Sequence, residues 1–157
     1  MKIKLICIGG IRDAAIATAI SQYTKKIPFY WPFSLTAIPD VKAAKSAGTA
    51  KQKELEGQKF LAEIVPGDYV VLLDERGKEL TSRQFSEFIE KKSVELPKSL
   101  VFLIGGPYGF SQEIYNRADS MLSLSKMTFP HELVRLFFVE QIYRAGTIMR
   151  GEPYHHD

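Results

Sequence analysis

The chain has 157 residues, 45% of them apolar and 25% charged, with a formal net charge of +3. That balance fits one soluble globular domain over residues 1–157, able to bury about 70% of the surface its unfolded chain exposes. It excludes a helical membrane protein, because apolar runs such as VVLL and LVFLI fall far short of a span.

Residues 3–8 (IKLICI) follow Met1 almost directly and read as a strand. No basic region with a hydrophobic signal segment fits before them. The lone Cys7 sits inside this strand, so no disulfide framework is expected and a cytoplasmic location follows. Cys7 itself reads as a small buried hydrophobe. Residues 13–26 predict a helix that ends before Pro28, and 34–38 (SLTAI) a short strand. Residues 50–64 predict a helix with Leu55, Leu61 and Ile64 inward, stopped by Pro66-Gly67.

DYVVLLDE (68–75) predicts the next strand, followed by a turn at Gly77. A helix then opens at Thr81, where Thr-x-x-Gln with Gln84 forms a capping box. Its apolar positions are Phe85, Phe88 and Ile89. SLVFLIGG (99–106) predicts another strand, a helix opens at Ser111, and MLSLS (121–125) gives the last strand. A long final helix follows, and neither repeats nor a linker interrupt the pattern.

Strand–helix alternation predicts an α/β fold with a mostly parallel sheet flanked by helices. VVLL and LVFLI are uninterrupted apolar runs, as central strands covered on both faces require. Ligands of such sheets bind beyond the carboxyl ends of the strands. Those ends are Leu73-Asp74-Glu75, Gly105-Gly106 and Ser123-Leu124-Ser125-Lys126, so three strand ends should meet at one crevice.

IGGPYGF fails as a dinucleotide fingerprint, because Pro107 stands where the second glycine of G-x-G belongs. The chain also has no Gly-Lys-Ser/Thr. What remains is a strand ending in two glycines, where a flat ligand can approach the backbone. A cofactor without phosphates fits that better than a nucleotide phosphate.

Charge is uneven. Residues 1–65 hold ten Lys and Arg against five Asp and Glu, and residues 66–157 hold eleven against thirteen. Lys42, Lys45, Lys51, Lys53 and Lys59 cluster between a strand and a helix. They form either a solvated helix face or a footprint for a phosphate backbone. No Cys/His cluster has metal-ligand spacing, so no metal site is expected.

The final helix is apolar on nearly every side. At 100° per residue, His131 and Arg135 share one side, while Glu140, Arg144 and Thr147 lie roughly opposite. Such a helix must be covered nearly all round, and a second subunit is expected over the side the sheet leaves bare. Glu140 and Arg144 are spaced to pair.

The segments LLDERGKELTSRQF, FLIGGPYGF, SLSKMTFPHELVRLFFVEQIYRA and IMRGEPYHH resemble the RlmH family of bacterial large-subunit rRNA methyltransferases. They occur in family order along the whole chain. The resemblance implies the SPOUT fold, with a C-terminal deep trefoil knot, and a homodimer packed through the knotted region. It implies S-adenosylmethionine (SAM) as cofactor, held by Leu73, Gly105, Leu124, Ser125, Lys126, Met127, Thr128 and Phe129. The implied reaction is N3 methylation of a pseudouridine in 23S rRNA within the ribosome. One departure is clear: the family usually has Gly-Lys after the first strand, where this chain has Gly9-Gly10-Ile11-Arg12. The alternatives are a SPOUT enzyme acting on tRNA and a non-catalytic ribosome-binding or assembly factor.

A uracil-type N3–H is a weak acid, so its methylation needs a base or stabilisation of the ring anion. Arg144, Tyr154 and His155 are the expected catalytic residues, with His131 and Arg135 second. Pro153 stops the helix from continuing, and the tail is expected to turn after Gly151 and lie beside the cofactor.

Overall fold

In the computed structural model, which describes residues 1–42 and 45–157, strands and helices alternate along the chain. They are β1 (Lys2–Ile8), α1 (Ala14–Thr24), β2 (Phe33–Ile38), α2 (Gly48–Glu63), β3 (Tyr69–Glu79), α3 (Ser82–Glu95), β4 (Ser99–Ile104), α4 (Gln112–Arg117), β5 (Ser120–Ser123) and α5 (His131–Met149). The five strands form one parallel sheet in the order β2-β1-β4-β3-β5. The predicted α/β architecture is therefore present. Among the described residues no helix is long and apolar enough to cross a membrane.

Side chains alternate across the pleat and divide the interior into two cores. Ile3, Leu5, Cys7, Val71, Leu100, Phe102 and Ile104 face α1, α3 and α5. Ile6, Ile8, Val70, Leu72, Val101 and Leu103 face α2 and α4, where Phe60, Phe110 and Ile114 meet them. All six residues of β4 are buried, as its uninterrupted apolar run demands. Burial pushes the Cys7 thiol up to about 12, against the opposing influence of Arg135, so Cys7 behaves as the expected core hydrophobe.

The helix starts follow local chemistry. Asp13 caps α1 by accepting from Ile16 N at 3.0 Å. Thr81 and Gln84 form the complete capping box of α3. Ser111 caps α4.

Two sequence expectations are corrected. The fully buried face of α2 is Glu56, Gly57 and Phe60; Leu61 and Ile64 pack half-buried against the same core as expected, while Leu55 is not part of it. The reason is close packing on α4: a side chain at Gly57 would lie 2.5 Å from Ser111 Oγ. Nor does the chain turn at Gly77; β3 continues to Glu79. Leu73 and Lys78 both pair with Leu122, so Asp74 to Gly77 are extruded as a wide bulge. Gly77 is required there, because a Cβ would come within 2.6 Å of the Leu122 backbone. This bulge places three polar side chains at the mouth of the sheet.

α5 is covered mainly from within the chain. α1 and α3 pack along its flanks, and Arg135, Phe138, Val139, Ile142, Ala145, Gly146 and Thr147 are buried. Phe137 remains 43% exposed and stacks edge-on with Phe129 at 5.5 Å. α1 and α3 thus take part of the α5 surface, while Leu133, Leu136, Tyr143 and Ile148 stay half-buried and Phe137 exposed.

Candidate active site

The carboxyl ends of β3 and β4 open into a cleft of 710 Å³, within the range of small-molecule sites. Leu73, Gly105, Tyr115, Phe129, His131 and Val134 are among its walls. A further 120 Å³ adjoins it through Leu73, Asp74, Glu75, Phe129 and Val134, and extends to Ser123, Leu124, Ser125 and Met127. The three strand ends named from the sequence therefore meet at one crevice. Lys126 and Thr128 are on the same loop but are not among these walls. Lys126 reaches Glu79 at 3.8 Å, and Thr128 is exposed.

The loop after β5 is braced by its own side chains. Ser123 Oγ donates to Ser125 O at 3.0 Å, and Ser125 Oγ accepts from Met127 N at 3.0 Å. Leu124 and Phe129 also bound a 290 Å³ cavity on the α3 side, with Ser82, Phe137 and Gln141. The loop therefore stands between two hollows, and its residues reach both.

One polar cluster in the cleft was missed by sequence reasoning. Tyr115 OH donates to Asp74 in a very short hydrogen bond. Arg76 donates to Asp74 from its backbone N at 2.9 Å and from Nε at 3.3 Å. Its guanidinium lies over the Tyr115 ring at 4.7 Å. Burial alone would raise the Asp74 carboxyl, but the bonds from Tyr115 and Arg76 outweigh it and hold the group below its ordinary range. The cleft wall thus carries an ionised carboxylate paired with a guanidinium. Only the bulge brings Asp74 and Arg76 into register with Tyr115, so no spacing in the sequence announces them.

The five residues expected at the reaction centre fall into three places. His131 lines the cleft. Arg135 is 1% exposed and donates to Gly9 O at 2.5 Å and to Ile8 O; it ties α5 to the end of β1. Arg144, Tyr154 and His155 form a separate cluster. Arg144 donates to Glu140 Oε1 from Nε at 2.9 Å and Nη2 at 2.6 Å, and that bond raises its already high pKa. Tyr154 OH donates to the same oxygen at 3.0 Å. Burial first, then hydrogen bonding with Tyr23 and Glu140, raises the phenol pKa. Arg144 Nη1 stands 3.1 Å from His155 Nδ1. A guanidinium can only donate, so Nδ1 accepts and Nε2–H points to Asp157 Oδ1 at 3.2 Å. Asp157 in turn accepts two bonds from Arg83, at 2.6 and 2.5 Å.

The tail does turn after Gly151, which has φ +67°. Within the chain it lies along the second half of α5, away from the cleft. His131 and Arg144 are thirteen residues apart on that helix, which at 1.5 Å per residue is about 20 Å. One chain therefore holds the cleft at the start of α5 and the tail cluster against its second half.

Of the clustered lysines, Lys51, Lys53 and Lys59 lie on α2; Lys53 lines the cleft and Lys42, Lys51 and Lys59 are exposed. The Lys45 side chain lies outside the described part. Among the described residues no three His, Cys, Asp or Glu side chains gather in a metal-binding arrangement.

Residues 1–155 match the family described as predicted SPOUT methyltransferase. The chain is 53% identical to a protein of Parabacteroides distasonis over 157 residues, covering all of both chains. It is 50% identical to one of Christiangramia forsetii and 51% to one of Flavobacterium johnsoniae, each over 156 residues and 99% of both chains. All three relatives are named ribosomal RNA large subunit methyltransferase H.

Proposed function

The chain belongs to the SPOUT methyltransferase family, and from that premise we propose that it methylates N3 of a pseudouridine in 23S rRNA on assembled ribosomes, with SAM as methyl donor. The observation that carries this reading is the meeting of three strand ends at one cleft beside the ionised Asp74. When bound, SAM supplies an electrophilic methyl group on a sulfonium cation. The residues present suit it: apolar walls from Leu73, Phe129 and Val134, a bare backbone at Gly105, and carboxylates at Asp74 and Glu75. The full set proposed to hold it is Leu73, Gly105 and the loop Leu124, Ser125, Lys126, Met127, Thr128 and Phe129.

The C-terminal segment is proposed to form a deep trefoil knot. In support, β5 pairs at the outer edge of β3, and the chain then returns so that α5 packs against α1 and reaches β1 through Arg135. The enzyme is proposed to act as a homodimer in the cytoplasm. The exposed Phe137 beside Phe129 supports an interface there. The dimer also answers the separation of about 20 Å along α5. A second copy can bring its Arg144, Tyr154 and His155 to the first copy's cleft, where His131 already stands.

In that arrangement Arg144, through the N–H groups not given to Glu140 and His155, and His155, once its Nε2–H leaves Asp157, donate to the base oxygens and stabilise the negative charge left when N3–H is lost. Tyr154, with its phenol held protonated, donates rather than acts as a base. Arg135 keeps its place in the proposal only as a positioning residue, since its Nη1 and Nη2 donors are committed to β1.

Mass spectrometry of 23S rRNA from cells lacking the protein is the direct test. Loss of one methyl group from one pseudouridine, restored by the purified enzyme with SAM on intact ribosomes, is the expected result. A lost methyl on tRNA, or unchanged RNA in spite of SAM binding, would redirect the reading to another substrate or to an assembly role.

A further inference from the structure

A second cavity, of 330 Å³, lies between the end of β1, α2 and the start of α5. Gly106, Pro107, Tyr108 and His131 line both this cavity and the main cleft, so the two share a wall. Its most unusual member is Glu56, which is 2% exposed in the middle of α2. One carboxylate oxygen is 3.3 Å from the Gln52 amide. The other, Oε1, is buried with no hydrogen-bond partner. A buried carboxylate oxygen without a donor is costly, and sites that keep one are commonly completed by a ligand.

The neighbours define what ligand would complete it. Asp40 and Glu132 add negative charge to the cavity, and Arg12 and His131 add basic groups. Glu132 already accepts through Oε1 from Arg12 N at 2.8 Å and Asp13 N at 3.2 Å. Glu56 and Asp40 can meet a cation, and Arg12 on the same lining carries a guanidinium suited to an anion. Burial first, and then the charge of Asp40, raise the Glu56 carboxyl, as expected of an acid that lacks its cationic partner. Paired opposite charges at this scale suit a zwitterion. A Cβ at Gly106 would stand 2.7 Å from both Glu56 oxygens. The carboxylate therefore lies directly against the residue that follows Gly105 of the cleft.

The proposed donor has two ends: a flat adenosine and an α-amino acid head. The cleft walls at Leu73, Gly105 and Phe129 suit the first, and the opposite charges of that cleft, Asp74 and Arg76, are already bonded to each other and Asp74 also to Tyr115. We infer that the Glu56 cavity is the subsite for the α-amino acid head of the methyl donor, Glu56 and Asp40 taking the ammonium and Arg12 the carboxylate. This rests on the reading of the cleft as a SAM site. The Arg12 that departs from the usual Gly-Lys of the first loop thereby gains a function.

The test compares two neutral thioethers, S-adenosylhomocysteine and methylthioadenosine, which share the adenosine and differ in the amino acid head. Calorimetry on the wild type should give tighter binding of the former. In Glu56→Gln its affinity should fall at least tenfold while methylthioadenosine binds unchanged, and Asp40→Asn should narrow the same ratio by less. If Glu56→Gln does not fold, the Asp40→Asn ratio carries the test. An unchanged ratio in the folded variants, or an equal loss for both ligands, overturns the subsite while leaving the adenosine cleft intact. Wild-type protein that binds neither ligand overturns the SAM reading and the subsite with it.

Discussion

Arg135 and Gly9 are 126 positions apart in sequence, yet the Arg135 guanidinium donates to the Gly9 carbonyl at 2.5 Å inside the protein. The same group donates to Ile8 O, so the end of β1 is fastened to α5 by one side chain. Replacing Arg135 by Met keeps much of its volume but leaves two buried carbonyls without donors. The expected cost is on the order of 3 kcal/mol. Urea denaturation should show that loss in the midpoint with little change in slope; stability equal to the wild type would mean water replaces the guanidinium freely.

Asp74 gives a stability prediction with a defined pH sign. Its folded carboxyl is held below the ordinary range, so its contribution is fully present above the unfolded value of about 3.9. It is lost as pH falls through the folded value. Asp74→Asn should therefore be less stable than the wild type at neutral pH, and the two melting temperatures should converge in acid. A constant difference down to the acid limit would show that the Tyr115 and Arg76 bonds do not depend on the charge.

Gly105 tests the cleft itself. A Cβ there would meet the Phe110 ring at 3.2 Å and Gly109 O at 3.4 Å, tight contacts that a small side chain can meet by a slight ring shift. Gly105→Ala should fold and bind SAM several-fold more weakly. Gly105→Val should stay folded by circular dichroism and lose calorimetric binding. Wild-type affinity in the Val variant would remove the β4 end from the proposed SAM site.

The sheet, the order of elements and the meeting of three strand ends were legible because each rests on local pattern. Alternation named β1, uninterrupted apolar runs named β3 and β4, and Thr81 with Gln84 marked the start of α3. What escaped depended on contacts between distant segments. Gly77 reads as a turn residue, but the backbone of Leu122 at 2.6 Å makes it a bulge. Glu56 reads as one more charge on a lysine-rich helix, and only the approach of Gly106 and Ser111 shows that this face points inward. Likewise, helical spacing placed His131 and Arg135 side by side, while the fold sends one to a cleft and the other to a strand end.

The tail gives the sharpest test of the proposed reaction. Tyr154, His155 and Asp157 are held by Glu140, Arg144 and Arg83, all near the protein surface, so little of the core depends on them. Truncation after Gly151 should leave the fold and the proposed dimer intact by sedimentation and thermal melting. SAM binding should weaken only modestly, because the cleft walls lie at the start of α5. Methyl transfer to ribosomes should fall by roughly a hundredfold or more, the usual loss when donors to a developing anion are removed. Mixing the truncated chain with a full-length chain carrying Gly105→Val then separates the two sites. If a second copy supplies the tail, mixed dimers should regain part of the activity that neither parent has. No recovery in mixtures that demonstrably exchange subunits would place the tail and the cleft of one reaction in the same chain. Wild-type activity of the truncated protein would make the tail structural and take Tyr154 and His155 out of the reaction.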